Sequence, residues 1–354
     1  MNFASSLKLP TPALLGIALL GVYLASILSI SVGPMDISFT QSMSALLPDF
    51  TMPGLPSAEL PAHVNMIVQQ VRLPRTLLAI AIGGILAICG TVMQGLFRNP
   101  LADPGIIGVS AGAALGAALA IVVFGSLAGT YPALLMFGSV PIFSFLGGAI
   151  TTLVVYQLGT SPNGTSVTMM LLAGVAIGAL SGAMLGLLNY YADDQALRDL
   201  SLWTMGSLAG ANFAGVAFGG IVLLILGALF YHESANLNAL LLGEAEAGHL
   251  GIDVQRLKRR LILLTAAGVG VTVSLAGMIG FIGLIVPHLG RMIAGPNHKV
   301  LIPLATVLGA LLLLISDMLS RILVAPLEIP VGIITAVLGA PFFLWLLISQ
   351  KGRI

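Results

Sequence analysis

Residues 104–192 read PGIIGVSAGAALGAALAIVVFGSLAGTYPALLMFGSVPIFSFLGGAITTLVVYQLGTSPNGTSVTMMLLAGVAIGALSGAMLGLLNYYA and contain no Asp, Glu, Lys, Arg or His. A helix needs about 20 apolar residues to cross the hydrocarbon core of a bilayer, so this stretch is too long for one span. Residues that favour turns cluster at 125–132 and again at 159–164, where the sequence is GTSPNG. The stretch therefore predicts three membrane-spanning helices, at about 106–124, 134–158 and 167–191.

The composition of the whole chain agrees with a membrane protein. Of 354 residues, 58% are hydrophobic and 8% are charged, and the mean hydropathy is +1.07. Soluble domains carry about 25% charged residues. In lipid only helices and closed barrels satisfy the backbone, and the apolar runs lack the alternation of barrel strands. The sequence predicts one all-α integral membrane domain over residues 1–354. A net charge of +1 gives no indication of nucleic-acid binding.

The same length test predicts seven further spans, and ten in total. They lie at about 13–32, 74–97, 213–231, 261–280, 282–294, 302–320 and 331–349. The first is longer than the apolar region of a signal peptide, about 7–15 residues, and is read as a retained helix. An even number places both termini on one side, and ten Lys and Arg against four place that side in the cytoplasm.

Three connecting segments have a distinct character. Residues 33–71 are rich in Pro, Ser and Met and predict an irregular outer loop. Residues 192–212 predict a short amphipathic helix at the outer surface. Residues 232–260 form the largest polar insert on the predicted cytoplasmic side, where a partner protein has room to dock.

Glycines recur at every fourth position in two of the spans. One row is Gly174, Gly178, Gly182 and Gly186, and the other is Gly108, Gly112 and Gly116. This spacing places each row on one helix face and predicts close helix packing. A face that lines a translocation path is a compatible alternative, because the wall of such a path also needs small residues.

The chain lacks its own energy source by two criteria. It contains no G-x-x-x-x-G-K-[ST] phosphate loop. No pair of spans carries acidic residues at mid-membrane depth, as ion-coupled carriers usually do. Asp317 is the best candidate, but Arg321 lies four residues later and accounts for it as a local pair. An ion-coupled carrier acting without an ATPase is therefore the alternative from another class.

Several long motifs resemble the FecCD-type permeases, the membrane subunits of type II ABC importers for siderophores, haem and cobalamin. They are VRLPRTLLAIAIGGILAICGTVMQGLFRNPLADPGIIGVSAGAALG at 71–116, LNALLLGEAEAGHLGID at 237–253, GFIGLIVPHLGR at 280–291 and LEIPVGIITAVLGAPFFLWLL at 327–347. The resemblance implies a homodimer of ten-helix subunits with the pathway on the two-fold axis. It also implies two cytoplasmic ATPase subunits that use ATP and Mg²⁺, a periplasmic binding protein, and the bacterial inner membrane as location. This chain would be a transport subunit that binds no cofactor or metal, rather than an enzyme.

The resemblance also assigns site residues. The insert corresponds to the segment that seats in the ATPase subunits, and its motif positions are Leu240, Gly243, Glu244, Ala247, Leu250 and Gly251. An apolar ridge on a short helix suits a groove on a soluble partner, although an ordinary solvated loop is the alternative. The turn with Thr160, Ser161, Pro162 and Asn163 matches the position of the cytoplasmic gate.

Three outer arginines match positions where the family receives glutamates of the binding protein. They are Arg72, Arg75 and Arg321. A planar guanidinium holds a carboxylate with two bonds and stays charged, which suits such docking. The alternatives are anchoring at lipid headgroups or, for Arg321, local pairing with Asp317.

Within the family the resemblance favours haem as the transported substrate, with a ferric siderophore or cobalamin as alternatives. Haem is a flat apolar plate with two anionic propionates. Arg198 is the candidate contact for a propionate, since bonds from Arg to carboxylate are strong and directional. Pairing of Arg198 with Asp194 is the alternative. The face with Gly174, Gly178 and Gly182 is the candidate wall of the pathway.

Overall fold

The computed structural model describes residues 10–46, 61–125, 139–161 and 164–350. These residues contain fourteen longer helices, a 3-10 helix at Pro104–Ile107 and one two-stranded hairpin. The helices are α1 Thr11–Ser31, α2 Phe39–Leu46, α3 Ala62–Leu96, α4 Val109–Phe124, α5 Ser139–Leu158, α6 Val167–Tyr191, α7 Asp194–Thr204, α8 Phe213–His232, α9 Ser234–Leu240, α10 Glu244–His249, α11 Val254–Ala276, α12 Ile282–Ala294, α13 His298–Ile322 and α14 Val331–Gln350.

The predicted ten spans each contain one helix. Seven helices of the described chain are long and apolar enough to cross a membrane, namely α1, α3, α5, α6, α8, α11 and α13. Shorter apolar helices occupy the other three predicted spans, at Val109–Phe124, Ile282–Ala294 and Val331–Leu346. The all-α fold class is confirmed, and the short span at 282–294 has the predicted bounds.

Helix α3 forms the centre of the bundle, and its residues from Leu78 to Leu96 are almost all buried. It packs against α8, α11, α12 and α13. Glycines permit the closest approaches: a methyl group on Gly83 would collide with the carbonyl of Gly309, and one on Gly90 with that of Gly283. Small residues bring helix backbones together in this way because packing, rather than water exclusion, holds helices in lipid.

Two predicted segments differ from the structure. The outer segment 33–71 contains α2 and the first turns of α3, so the described part is more helical than the predicted irregular loop. Ala45, Val64 and Val68 of these helices are buried together in a small apolar cluster, and this burial stabilises the helical structure. The polar insert is also shorter than predicted, because Asp253 caps α11 and residues 254–260 belong to that helix. The predicted amphipathic helix within 192–212 is confirmed as α7.

The two glycine rows have different surroundings. Methyl groups on Gly112 and Gly116 would collide with carbonyls of α5, so the predicted close packing is present there. On α6, a methyl group on Gly174 would collide with the carbonyl of Ile106, but one on Gly178, Gly182 or Gly186 would meet no atom of the described residues within 4 Å. The outer part of the α6 row therefore faces away from the rest of the described chain.

Candidate functional site

Two polar regions lie at opposite ends of the bundle. We call the end that carries residues 233–253 the insert end. We call the other end, with Arg72, Arg75 and Arg321, the arginine end. Helices α3 and α13 run in opposite directions and connect the two, since Gly95 of α3 approaches His298 at the insert end and Arg75 bonds to Asp317 at the arginine end.

The insert folds as the two short helices α9 and α10, which are held against the bundle. Leu240 and Ala247 are both buried at the interface with the bundle. Gly243 joins the two helices with a φ of +132°, a backbone conformation that L side chains rarely adopt. The joint therefore explains why a glycine stands at this position.

Hydrogen bonds of Asn238 tie α9 to the start of α13. The Asn238 amide donates to Oδ1 of Asn297 at 2.8 Å, and Asn238 Oδ1 lies 2.8 Å from both the backbone nitrogen and Nδ1 of His298. Asn297 also caps the start of α13. The position of α9 is therefore tied to that of a long central helix.

The apolar surface of the insert differs in part from the predicted ridge. Leu240 and Ala247 point into the bundle, where they are not accessible to a partner. The exposed apolar residues are Leu241, Leu242 and Leu250, with Leu242 69% and Leu250 65% exposed. We call these three residues the leucine patch. Of the predicted coupling residues, Leu240 and Ala247 thus anchor the insert, and Leu250 lies in the patch.

Charged side chains fix α10 to α11. The Lys258 ammonium lies 2.7 Å from Oε2 of Glu244, and its side chain is 3% exposed against 41% for Glu244. Gly251 follows α10 with a φ of +83° and leads into the loop before α11. Arg260 and Glu233 form a second ion pair at the start of the insert. Lys258 was not singled out from the sequence, although its place among Leu257 and Leu261 on the apolar face of α11 is a signal for burial.

The predicted gate turn is a short antiparallel hairpin. Its strands Thr160–Ser161 and Gly164–Thr165 pair Thr160 with Thr165 and Ser161 with Gly164. The predicted gate residues Pro162 and Asn163 lie outside the described residues. Thr165 contacts α11, because its backbone N–H donates to Gln255 Oε1 at 2.9 Å and its carbonyl accepts from Lys258 at 3.1 Å.

The arginine end is a closed ionic network. Asp317 is fully buried between two guanidinium groups, with Oδ1 at 2.8 Å from Nε of Arg75 and Oδ2 at 3.0 Å from Nη2 of Arg321. Arg75 also binds Glu328 at 2.7 Å. The alternative pairing of Arg321 with Asp317 is thus present, and Asp317 is held in ion pairs rather than left free for a proton relay.

The remaining arginine donors bind the carbonyl end of α1. Arg72 donates to the carbonyls of Ile30, Ser31 and Met35 at 2.7–3.0 Å. Arg321 donates to the carbonyls of Ser29 and Val32 at 2.9 and 2.8 Å. The last carbonyls of a helix have no hydrogen-bond donor within the helix, and they carry partial negative charge. The arginines supply both the missing donors and a compensating positive charge.

The three arginines that were predicted to dock the binding protein are buried in this conformation. Arg72, Arg75 and Arg321 are 4%, 5% and 2% exposed, and all three guanidinium groups donate hydrogen bonds to acceptors within the chain. A direct bond to a glutamate of another protein needs an accessible guanidinium. In this conformation Glu328, with a side chain 31% exposed, is the member of the network that reaches the surface.

Arg198 lies exposed on α7. Among the described residues no ion pair joins it to Asp194, and the neighbouring Asp199 accepts a bond from Gln195 at 2.9 Å. Asp199 and Trp203 line a cavity of 390 Å³ with residues of α4, α5 and α11. Among the described residues Arg198 therefore does not form the local pair that was the alternative, and its side chain is exposed.

Comparisons with known proteins agree with this architecture. The model of the FecCD transport family matches residues 20–349. The chain is 48% identical to the hemin transport system permease protein HmuU of Yersinia pestis over 284 residues, 79% of this chain and 83% of that protein. It is 40% identical to the cobalamin import system permease protein BtuC of Halobacterium salinarum over 293 residues, 83% of this chain and 76% of that protein. A solved metal-chelate type ABC transporter in an inward-facing conformation matches with a TM-score of 0.79 at 32% identity, covering 96% of this chain and 99% of that one.

Proposed function

The chain belongs to the FecCD transport family and is a membrane permease of an ABC importer, and we propose that the substrate it carries is haem. The observation that carries the substrate is the 48% identity to a hemin transport permease, against 40% for a cobalamin permease. The exposed side chain of Arg198 offers a partner for a propionate. A ferric siderophore and cobalamin are the competing substrates within the family.

We further propose that two copies of this chain form the pathway. The support is the open face of α6, where a methyl group on Gly178 or Gly182 would meet no atom of the described residues within 4 Å, although small residues of this kind allow close helix contact. Either the second copy or the substrate meets this face. A dimer places the site of substrate passage at the contact between copies.

The leucine patch supports an ATPase partner at the insert end. Three exposed leucines on a polar, anchored segment form an apolar surface that no part of the described chain covers. We propose that one ABC ATPase subunit binds each copy here and uses ATP and Mg²⁺, with the insert end and both chain termini in the cytoplasm and the complex in the inner membrane.

The periplasmic binding protein is proposed to dock at the arginine end. With their guanidinium groups engaged inside the chain, Arg72, Arg75 and Arg321 support this role by holding the ends of α1, α3 and α13 in position. Glu328 is the accessible charge there. Charge reversal of Glu328 should change binding-protein association most at low salt, because accessible charges act mainly through long-range attraction.

Transport by the reconstituted complex tests the substrate. The permease, its ATPase subunits and its binding protein are placed in liposomes, and uptake of haem is measured with ferric siderophore or cobalamin as competitor. ATP-dependent haem uptake that only unlabelled haem suppresses supports the proposal. Uptake of a siderophore or cobalamin without haem uptake would refute the haem assignment while leaving the permease function intact. Uptake driven by an ion gradient without the ATPase would favour a carrier.

The role of Arg198 is tested in the same system. Arg198→Ala should reduce haem uptake by about 10-fold, the effect of losing roughly 1.5 kcal/mol of a charged hydrogen bond. Arg256→Ala is the matched control, since Arg256 is also an exposed arginine but lies at the opposite end of the bundle. Equal haem uptake by both variants would remove Arg198 from the pathway.

A further inference from the structure

One buried ammonium touches both the insert and the hairpin. Lys258 lies in the second turn of α11, and its side chain is 3% exposed. Its Nζ lies 2.7 Å from Oε2 of Glu244 on α10 and 3.1 Å from the carbonyl oxygen of Thr165 in the hairpin. Two segments that are far apart in the sequence therefore share one cation.

A second side chain of α11 holds the same hairpin residue. Gln255 lies three positions before Lys258, which places both side chains on one helix face. Its Oε1 accepts the Thr165 N–H at 2.9 Å, while Lys258 donates to the Thr165 carbonyl. Both backbone polar groups of Thr165 are thus bound by α11, so the hairpin strand Gly164–Thr165 has its position set from that helix.

The energetics make Lys258 sensitive to the position of α10. A buried charge is costly unless it is paired and hydrogen-bonded. Glu244 supplies the only anionic partner of Lys258 among the described residues. If α10 moved relative to α11, the ammonium would lose this partner and its bond to the hairpin would have to change. Glu244 itself is 41% exposed and can be solvated, so the cost falls on the lysine.

We propose that Lys258 is a positioning residue that transmits movement of the insert to the hairpin strand Gly164–Thr165, and through it couples the ATPase to the opening of the pathway. This inference rests on the proposed ATPase docking at the insert end. Lys258 contacts neither the ATPase nor the substrate. It acts because it is bonded to both segments at once: a displaced insert would take away its anionic partner and change its bond to Thr165, while Gln255 still holds Thr165 on α11.

The test uses the accessibility of the hairpin as its readout. The chain has a single cysteine, Cys89, which is buried, so an S161C variant carries one accessible thiol on an exposed hairpin residue. The permease is co-purified with its ATPase subunits, and the rate of maleimide labelling is measured with and without ATP. In the S161C background, ATP should change this rate. Adding K258M should reduce the ATP-dependent change about tenfold, which corresponds to about 1.4 kcal/mol.

Matched variants separate transmission from a general structural effect. R256A removes another cation of α11, one that is 77% exposed and pairs with Asp253, and it should leave the ATP response unchanged. E244Q removes the charge of the anionic partner of Lys258, and it does so at a partly exposed residue. It therefore provides a second test if K258M does not fold. Like K258M, it should reduce the ATP-dependent change in labelling. The E244K/K258E double variant restores an ion pair without a donor for the Thr165 carbonyl, and the response should stay low.

The outcomes distinguish this inference from the proposed function. If no ATPase co-purifies with the parent chain, the proposed docking fails. If the ATPase binds but labelling of S161C does not respond to ATP, the role of Lys258 is refuted. The role is also refuted if adding K258M or E244Q leaves the ATP response of S161C unchanged. Full recovery of the response in E244K/K258E would also refute it, because that pair lacks the bond to the hairpin.

Discussion

The arginine end and the insert end use similar charged residues for different purposes. At the arginine end, Asp317 is completely buried between Arg75 and Arg321. At the insert end, Glu244 is 41% exposed and Leu242 is 69% exposed. The charged groups of the arginine end bind partners within the chain, whereas the insert end has polar and apolar side chains exposed at its surface.

This contrast shows that a charged residue near a helix end does not by itself indicate a partner surface. The arginine network satisfies the last carbonyls of α1 and joins three helices, which is a structural task. The leucine patch is exposed on the described part of the chain, which is why we propose it as a partner surface. The distinguishing property is accessibility, and it gives four predictions of decreasing size.

The largest effect is expected from removing the buried carboxylate. Asp317→Ala leaves Arg321 and Arg75 without their shared anion in a buried site, and it should lower the free energy of unfolding by about 3–5 kcal/mol. Denaturant unfolding in detergent micelles measures the change. Glu328→Gln removes a more exposed partner of Arg75 and is the control, with a smaller expected loss. Equal losses for both variants would contradict the closed network.

A smaller but specific effect is expected at the leucine patch. Leu242→Asp should weaken association with the ATPase by about 30-fold, the effect of roughly 2 kcal/mol at a central interface residue. The free energy of unfolding should barely change, because Leu242 is already exposed. Leu323→Asp, at another exposed leucine that lies at the arginine end, is the control. Surface plasmon resonance on the detergent-solubilised chain measures both. Unaltered affinity of the Leu242 variant would show that the patch is not the docking surface.

The joint between α9 and α10 should show a backbone effect. Gly243→Ala puts a side chain at a φ of +132°, where strain of about 1–3 kcal/mol is expected even though the nearest atom to the new methyl group would be 3.9 Å away. Gly248→Ala is the control, since Gly248 has open space and an ordinary helical φ, and it should stabilise the chain slightly. Thermal unfolding of both variants checks this. An equal loss in Gly248→Ala would contradict backbone strain as the cause, because Gly248 has no positive φ.

The smallest effect is expected at an exposed ion pair of the insert end. Arg256→Ala removes a partner of Asp253 at 3.4 Å, with side chains 77% and 56% exposed. Exposed pairs contribute about 0–1 kcal/mol, so the free energy of unfolding should change by less than about 0.5 kcal/mol. A larger loss, measured in the same denaturant titration as the Asp317 variants, would mean that exposure does not separate the two ends.

Much of the fold was predictable because lipid imposes simple rules. The ten spans follow from the length of apolar runs, and α6 has the predicted bounds 167–191. The amphipathic helix α7 and the short span α12 were likewise recognisable from local pattern. The start of α11 was placed seven residues late, because its first turns carry Arg256, Lys258, Arg259 and Arg260 and look like a polar loop.

The candidate site was only partly predictable. The sequence located the insert and its motif, but burial of Leu240 and Ala247 and exposure of Leu242 depend on how α9 and α10 turn against the bundle. The glycine row of α6 indicated a close contact, yet only Gly174 makes one within the described chain. Periodicity identifies a helix face, but it does not say which neighbour covers that face.

The sequence by itself therefore determined the membrane class, the number and order of the spans, and the family. These depend on hydrophobicity summed over about 20 residues and on motifs that are contiguous in the chain. Only the tertiary structure decided that Arg75 meets Asp317 across 242 positions, and that Lys258, which pairs with Glu244, also bonds to Thr165 across 93 positions. The physical reason is that ionic and hydrogen bonds act over a few ångströms in space, so their partners are set by helix packing and not by distance along the chain.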